Sequence, residues 1–155
     1  MKTEGISLRN WCYYIDMKPK VISEKLAYQS ALTKVISTKI QLSNGNIVDW
    51  EYIDHVNGVA VLPIDGQGNV YLCKEWRAAW KKDVMQIPAG TCASEDENER
   101  IEQVHNELKE EIGMDAKKVE KLTYYMASGK INYVPHIYLA RELFPSQKNP
   151  DEDEI

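Results

Sequence analysis

Ile101, Val104, Leu108 and Ile112 recur every three or four residues, and Gly113 follows the last of them. That period predicts an amphipathic helix with one apolar stripe, closed by a glycine in the left-handed C′ conformation. Ser94 or Asn98 is the expected N-cap, Ser94 because Glu97 stands at capping-box distance, Asn98 because it lies closer to the repeat. At about 100° per residue, Glu107 and Glu111 fall along the edge of the stripe, with Glu110 between them. Like charges at i, i+4 destabilise a helix by roughly 0.2–0.5 kcal/mol in water, and by more where water is excluded. Half-buried acids at this spacing therefore suit a bound divalent cation. Oxygen-only ligands favour magnesium or manganese over zinc. A solvated acidic face is the competing reading, because glutamate is a good helix former and Lys109 and Lys117 are nearby.

Strands dominate elsewhere. Residues 34–42 and 47–53 flank Ser43-Asn44-Gly45-Asn46, an Asn-Gly hairpin turn. Residues 58–64 form an apolar run suited to a buried strand, residues 65–69 turn the chain, and residues 70–76 return it. Met85-Gln86-Ile87-Pro88-Ala89-Gly90 reads as a strand turning sharply into a loop that leads to the helix. Residues 119–126 and 135–140 are expected to be two more strands, around a loop at 127–134. The pattern indicates an α+β architecture with a mixed sheet. Residues 1–33 carry Trp11, Tyr13, Tyr14 and Tyr28 but show neither helical nor strand spacing, and residues 149–155 are an acidic, proline-broken tail expected to fray.

Composition limits the function. The 155 residues suit one domain with its own core, and 43% hydrophobic with 28% charged residues is ordinary globular usage. No apolar run approaches the ~20 residues a membrane helix needs, and Met-Lys-Thr-Glu-Gly is not a signal-peptide core, so a cytoplasmic protein without a membrane partner is expected. Cys12, Cys73 and Cys92 are odd in number, dispersed and without metal-ligand spacing, which predicts reduced thiols. A net charge of −5 with no basic tract argues against a nucleic acid polymer. A small anionic substrate remains compatible, its charge met locally by a metal and a few cationic side chains.

Strand, glycine, capped helix and Glu107-Leu108-Lys109-Glu110-Glu111-Ile112-Gly113-Met114 together resemble the signature box of the Nudix hydrolases. Gly90, Glu107, Leu108, Glu110, Glu111, Gly113 and Met114 match that box. Asn106 stands where the family has arginine, the interval from Gly90 to Glu107 is two residues longer than the pattern, and the loop glutamate's register falls near Asn98, between Glu97 and Glu99. Trp50-Glu51-Tyr52-Ile53, residues 58–63, Lys74-Glu75-Trp76-Arg77 and residues 86–90 narrow the resemblance to the ADP-ribose pyrophosphatase branch, over roughly residues 30–145.

The resemblance implies a Nudix-type α/β/α sandwich with a mixed sheet. It also implies an N-terminal strand extension at 1–48 that helps build a homodimer, a hydrolase core at 49–148 and a tail at 149–155. The branch continues into a C-terminal helix, which a sequence ending at Ile155 is expected to lack or shorten. The implied reaction is metal-dependent hydrolysis of a pyrophosphate bond in a nucleoside diphosphate derivative, with ADP-ribose giving AMP and ribose 5-phosphate. Mg2+ or Mn2+ would be held by Glu107 and Glu111, helped by Glu110 and the carbonyl of Ala89 or Gly90. Trp76 or Trp80 could stack on a base, Arg77 could bind phosphate bidentately, and Ser128, Gly129 and Lys130 could meet the substrate from the loop after the box.

In that branch a glutamate of this loop commonly activates the water, but residues 128–135 contain no carboxylate. Tyr133 sits nearest the expected position, yet a phenol of pKa about 10 is a poor base at neutral pH. Glu107, Glu110 or metal-bound hydroxide is the expected base instead. His105 has no partner at metal spacing, His136 begins a strand and His55 precedes a turn, and each is expected to be structural or superficial. Two other functions stay open: a Nudix enzyme acting on a nucleotide sugar, a dinucleoside polyphosphate or an oxidised nucleotide, and a Nudix-fold nucleotide sensor without turnover.

Overall fold

The Asn-Gly turn shows how closely the local chemistry is realised. Gly45 takes φ 87°, Asn44 Oδ1 accepts the Asn46 amide at 3.0 Å, and β2 (Thr33–Gln41) pairs in unbroken antiparallel register with β3 (Ile47–His55). The computed structural model describes residues 18–126 and 128–146. β1 (Lys20–Gln29) lies on the outer side of β2, and the short β9 (Ile131–Asn132) pairs parallel with β3 on the inner side, giving a first sheet in the order β1-β2-β3-β9.

The second sheet is the mixed one. β4 (Gly58–Pro63) lies between β7 (Ala89–Thr91), antiparallel to it, and β10 (Pro135–Pro145), parallel to it; β8 (Met114–Tyr124) runs antiparallel along the far side of β10. β5 (Cys73–Arg77) and β6 (Lys82–Gln86) form a separate two-stranded ribbon. The one helix among the described residues, α1 (Glu97–Ile112), packs on the mixed sheet. Its predicted stripe is the contact surface. Val104 and Leu108 are fully buried against Val59, Val61, Ala116, Tyr138 and Ala140, with Ile101 and Ile112 partly covered beside them. The α+β architecture with a mixed sheet and an N-terminal strand region is thus present.

Several expectations need correction. The helix is capped by Asp96, not by Ser94 or Asn98: its carboxylate accepts from the amides of Asn98 and Glu99, while Ser94 Oγ accepts the Asp96 amide. The segment at 1–33 contains a ten-residue strand, β1. The strand expected at 70–76 forms only from Cys73, with Val70 in an isolated bridge to Ile64. β8 and β10 are longer than anticipated, β8 starting at Met114 directly after the helix and β10 running to Pro145. The loop at 127–134 contains β9. Trp11, Cys12, Tyr13, Tyr14 and the acidic tail lie outside the described residues.

Candidate active site

The helix ends as its sequence requires, with Gly113 at φ 64° and ψ 26° returning its amide to the Leu108 carbonyl. This last turn carries the acids, and the buried stripe sets which way they face. Glu107 is only 5% exposed. Its carboxylate lies against the backbone of β7 so closely that a Cβ on Gly90 would stand 1.8 Å from Oε1 and 2.9 Å from Oε2. Gly90 was read from the sequence as the start of a loop. It is a strand residue, and only glycine leaves room there for the carboxylate. Gln103, one turn before Glu107, donates its side-chain amide to Glu107 Oε1 at 2.7 Å.

Glu111 reaches the preceding residue of the same strand. Its Oε2 accepts the Ala89 amide at 3.2 Å and the Cys73 thiol, from the first residue of β5, at 3.0 Å. Burial pushes the Cys73 thiol up to about 12, helped by its hydrogen bond to Glu111 and that group's charge, so at neutral pH it is a donor and not a thiolate. Strand β7 thus receives two carboxylates one helical turn apart.

Arg77, at the end of β5, is held in a polar chain: Nε donates to Gln86 Oε1 at 3.2 Å, the guanidinium pairs with Glu75 at 2.7 Å, and Gln86 donates to Glu75 at 2.6 Å. Trp76 and Trp80 are 51% and 65% exposed, which removes core packing as their role. Lys130 lies 5.7 Å above the ring of Trp50 on the first sheet. Its loop is fastened there, its carbonyl accepting the Ile53 amide at 2.9 Å, and Ser128 Oγ accepts the Lys130 amide at 3.1 Å; Gly129 lies between them. Tyr133 reaches back to the β4–β7 pair, where a Cβ on Gly58 would lie 2.7 Å from the Gly90 carbonyl and 2.8 Å from the Tyr133 hydroxyl. Burial, with the Tyr125 phenol, raises the Tyr133 pKa further while Arg77 opposes the rise, so this phenol is even less suited to act as a base than its ordinary value suggests.

The loop glutamate's register is occupied structurally. Glu97 accepts from Tyr138 at 2.9 Å and Lys121 at 2.6 Å and pairs with Arg100 at 3.5 Å, which ties the start of α1 to the sheet. Glu99, by contrast, lines an open hollow of about 570 Å3 with Thr91, Cys92, Gln103 and Asn106. His105 bonds Asp115 at 2.5 Å and His55 bonds the Val56 carbonyl at 2.7 Å. His136 is held toward its neutral form by burial and by Arg100 and Lys121. Sequence reasoning missed Cys73 and Gln103. Gln103 could have been found by its i, i+4 spacing from Glu107, whereas nothing in the sequence joins Cys73 to a residue 38 positions away.

Among the described residues no group of three or more His, Cys, Asp or Glu side chains gathers as a ready cation cage. Two carboxylates against the backbone of β7 still fit magnesium, which keeps several waters and takes further oxygens from a substrate's phosphates. No described helix is long and apolar enough to cross a membrane.

No protein-family model matches the chain. It is 29% identical over 142 residues to the ADP-ribose pyrophosphatase of Bacillus subtilis (strain 168), an alignment covering 90% of this chain and 76% of that protein. It is 27% identical over 139 residues to the methanol dehydrogenase activator of Bacillus methanolicus, covering 88% and 74%. A solved structure, that of an ADP compounds hydrolase, superposes with a TM-score of 0.77 at 24% identity over 88% of this chain and 74% of that one, a likeness of fold.

Proposed function

We propose that this protein, a Nudix hydrolase of the ADP-ribose pyrophosphatase-like branch, cleaves the pyrophosphate bond of ADP-ribose to give AMP and ribose 5-phosphate. The observation that carries the reading is the convergence of Glu107 and Glu111 on Ala89 and Gly90, with the space at Gly90 taken by a carboxylate. The similarity to a named ADP-ribose pyrophosphatase supports the same substrate.

The bond is protected kinetically by negative charge on both phosphoryl groups, which repels an attacking water. Glu107 and Glu111, with Glu110 and the carbonyl of Ala89 or Gly90, would hold a Mg2+ or Mn2+ ion, which would supply neutralising charge and lower the pKa of water. The water oxygen bonds to one phosphorus, the anhydride P–O bond breaks, and Glu110 or Glu107 takes the water's proton. Arg77 meets the phosphates: its bonds to Gln86 and Glu75 engage two of a guanidinium's five donors and fix its plane. Trp76 or Trp80 offers a face to the base. Lys130, which lies over Trp50, would add positive charge for the phosphates from the loop, with Ser128 and Gly129 beside it.

The working form is a homodimer built through the N-terminal strands, in the cytoplasm, where the free thiols of Cys73 and Cys92 stay reduced. The chain's charge of −5 favours a small nucleotide over a nucleic acid polymer. One second reading has an observation behind it: similarity to a protein named as a dehydrogenase activator keeps a regulatory nucleotide sensor in view.

A panel of ADP-ribose, a nucleotide sugar, a dinucleoside polyphosphate and an oxidised nucleotide, each with Mg2+ and with chelator, tests this. AMP and ribose 5-phosphate should form fastest from ADP-ribose and only with the metal. Binding by calorimetry with no product on chromatography would favour the sensor.

A further inference from the structure

We propose that Cys73 and Gln103 are positioning residues that preset the two acidic side chains before a cation arrives, Cys73 holding Glu111 and Gln103 holding Glu107. The inference rests on the reading of Glu107 and Glu111 as the cation-binding acids. It adds two residues that touch neither substrate nor metal.

Each carboxylate is gripped from two sides. Glu107 lies between the bare Cα of Gly90 and the Gln103 amide, whose bond to Oε1 is 2.7 Å long. Glu111 lies between the Ala89 amide at 3.2 Å and the Cys73 thiol at 3.0 Å, both on Oε2. The thiol is itself aimed by its place at the start of β5, where Sγ also approaches the Gln86 carbonyl at 3.4 Å. A glutamate left loose would have to surrender rotamer freedom when it binds an ion, and one already fixed has that loss behind it.

The chemistry of the donors matters as much as their geometry. Thiol and amide are uncharged, so they orient an oxygen without cancelling the carboxylate's negative charge. An ionised carboxylate offers about four lone-pair positions on two oxygens. On Glu111 both donors sit on Oε2, and neither brings a positive charge to the group. A lysine or arginine in the same place would fix the side chain equally well but would compete with the cation electrostatically.

The test is Mn2+ binding to the full chain without substrate, read from the free-Mn2+ EPR signal, for wild type, Cys73→Ala, Cys73→Ser, Gln103→Met, the double variant Cys73→Ala/Gln103→Met, and Glu111→Gln as the control on the acids. Cys73→Ala and Gln103→Met should each raise the Mn2+ Kd about two- to tenfold, the scale of one net hydrogen bond. Cys73→Ser keeps a donor and should recover most of the loss. Because the two residues serve different carboxylates, the double variant should show close to the product of the single effects. Wild-type Mn2+ affinity in both Cys73→Ala and Gln103→Met, alongside weakened binding in Glu111→Gln, overturns the proposal and leaves the reading of the acids standing. Unchanged binding in Glu111→Gln overturns both. Should Cys73→Ala fail to fold, equal affinity in wild type and Gln103→Met still refutes the Gln103 half, and a large loss in the near-isosteric Cys73→Ser refutes hydrogen bonding as the role of Cys73.

Discussion

The first sheet and the helix-backed mixed sheet contain similar side chains in opposite circumstances. In β1, Val21, Ile22, Leu26 and Tyr28 are 46–60% exposed, whereas Val59, Val61, Val104, Leu108 and Tyr138 are at 0–1%. Both regions are hydrogen-bonded sheets with register shifts, two between β1 and β2 and one between β8 and β10, so backbone pairing alone does not explain the difference. What separates them is a helix. α1 covers the mixed sheet and brings the acids to β7, while all ten residues of β1 stay open to solvent. Burial on one side holds the acids against β7, and an uncovered apolar edge on the other is a surface suited to a partner.

The sharpest way to break that comparison is to remove one side chain from each region. Leu108→Ala should destabilise the fold by about 2–5 kcal/mol, as large-to-small changes in a closed core do. Leu26→Ala, already half exposed, should cost well under half as much in the monomer. Denaturant unfolding of the two variants measures both, and equal losses would mean that the N-terminal sheet is as closed as the core.

The next effect falls on turnover. Glu111→Gln should lower kcat by at least ~10²-fold, the scale of losing one group that stabilises transition-state charge, with little change in melting temperature. Steady-state kinetics in Mg2+ checks it, and full activity in excess chelator would remove the basis for the metal reading. The N-terminal sheet predicts the reverse pattern. Wild type should scatter light as a dimer at micromolar concentration, and Leu26→Lys should shift that mass toward monomer while leaving the unfolding of the helix-backed core in place. A wild-type monomer would show that the exposed strand has another purpose.

The two regions also differed in how well the sequence could be read. The stripe at 101, 104, 108 and 112 was legible because one face of α1 is buried and the other is not. The apolar run at 58–64 was legible because β4 is covered by strands on both edges and by the helix on one face. β1 was illegible for the opposite reason: exposure at every position removes the alternation that betrays a strand. Asp96 lay between the two caps that pattern favoured, and its role depends on an extended φ of −76° and ψ of 130° that no spacing rule reports. The acids were readable as a motif, but what holds them was not. Gly90 against Glu107 and Cys73 against Glu111 are contacts across 17 and 38 residues, created only when the helix docks on the sheet.

Two glycines offer the finest test. Gly45 at φ 87° and Gly113 at φ 64° both occupy left-handed backbone, so Gly45→Ala and Gly113→Ala should each cost on the order of 1 kcal/mol from local strain. Space is not the difference at Gly45, where an added Cβ meets nothing within 4 Å. The consequences should diverge because of what each turn joins. Gly45 links β2 and β3 of the first sheet, and its strain can relax into the hairpin without reaching the acids. Gly113 ends the helix two residues after Glu111, so strain there shifts the last turn and with it the bond from Cys73 and the Ala89 amide to the carboxylate. At matched stability losses, Gly113→Ala should weaken Mn2+ binding measurably and Gly45→Ala should leave it unchanged. Paired thermal melts and Mn2+ titrations decide the point, and a loss of affinity in Gly45→Ala equal to that in Gly113→Ala would show that the two sheets are mechanically one unit.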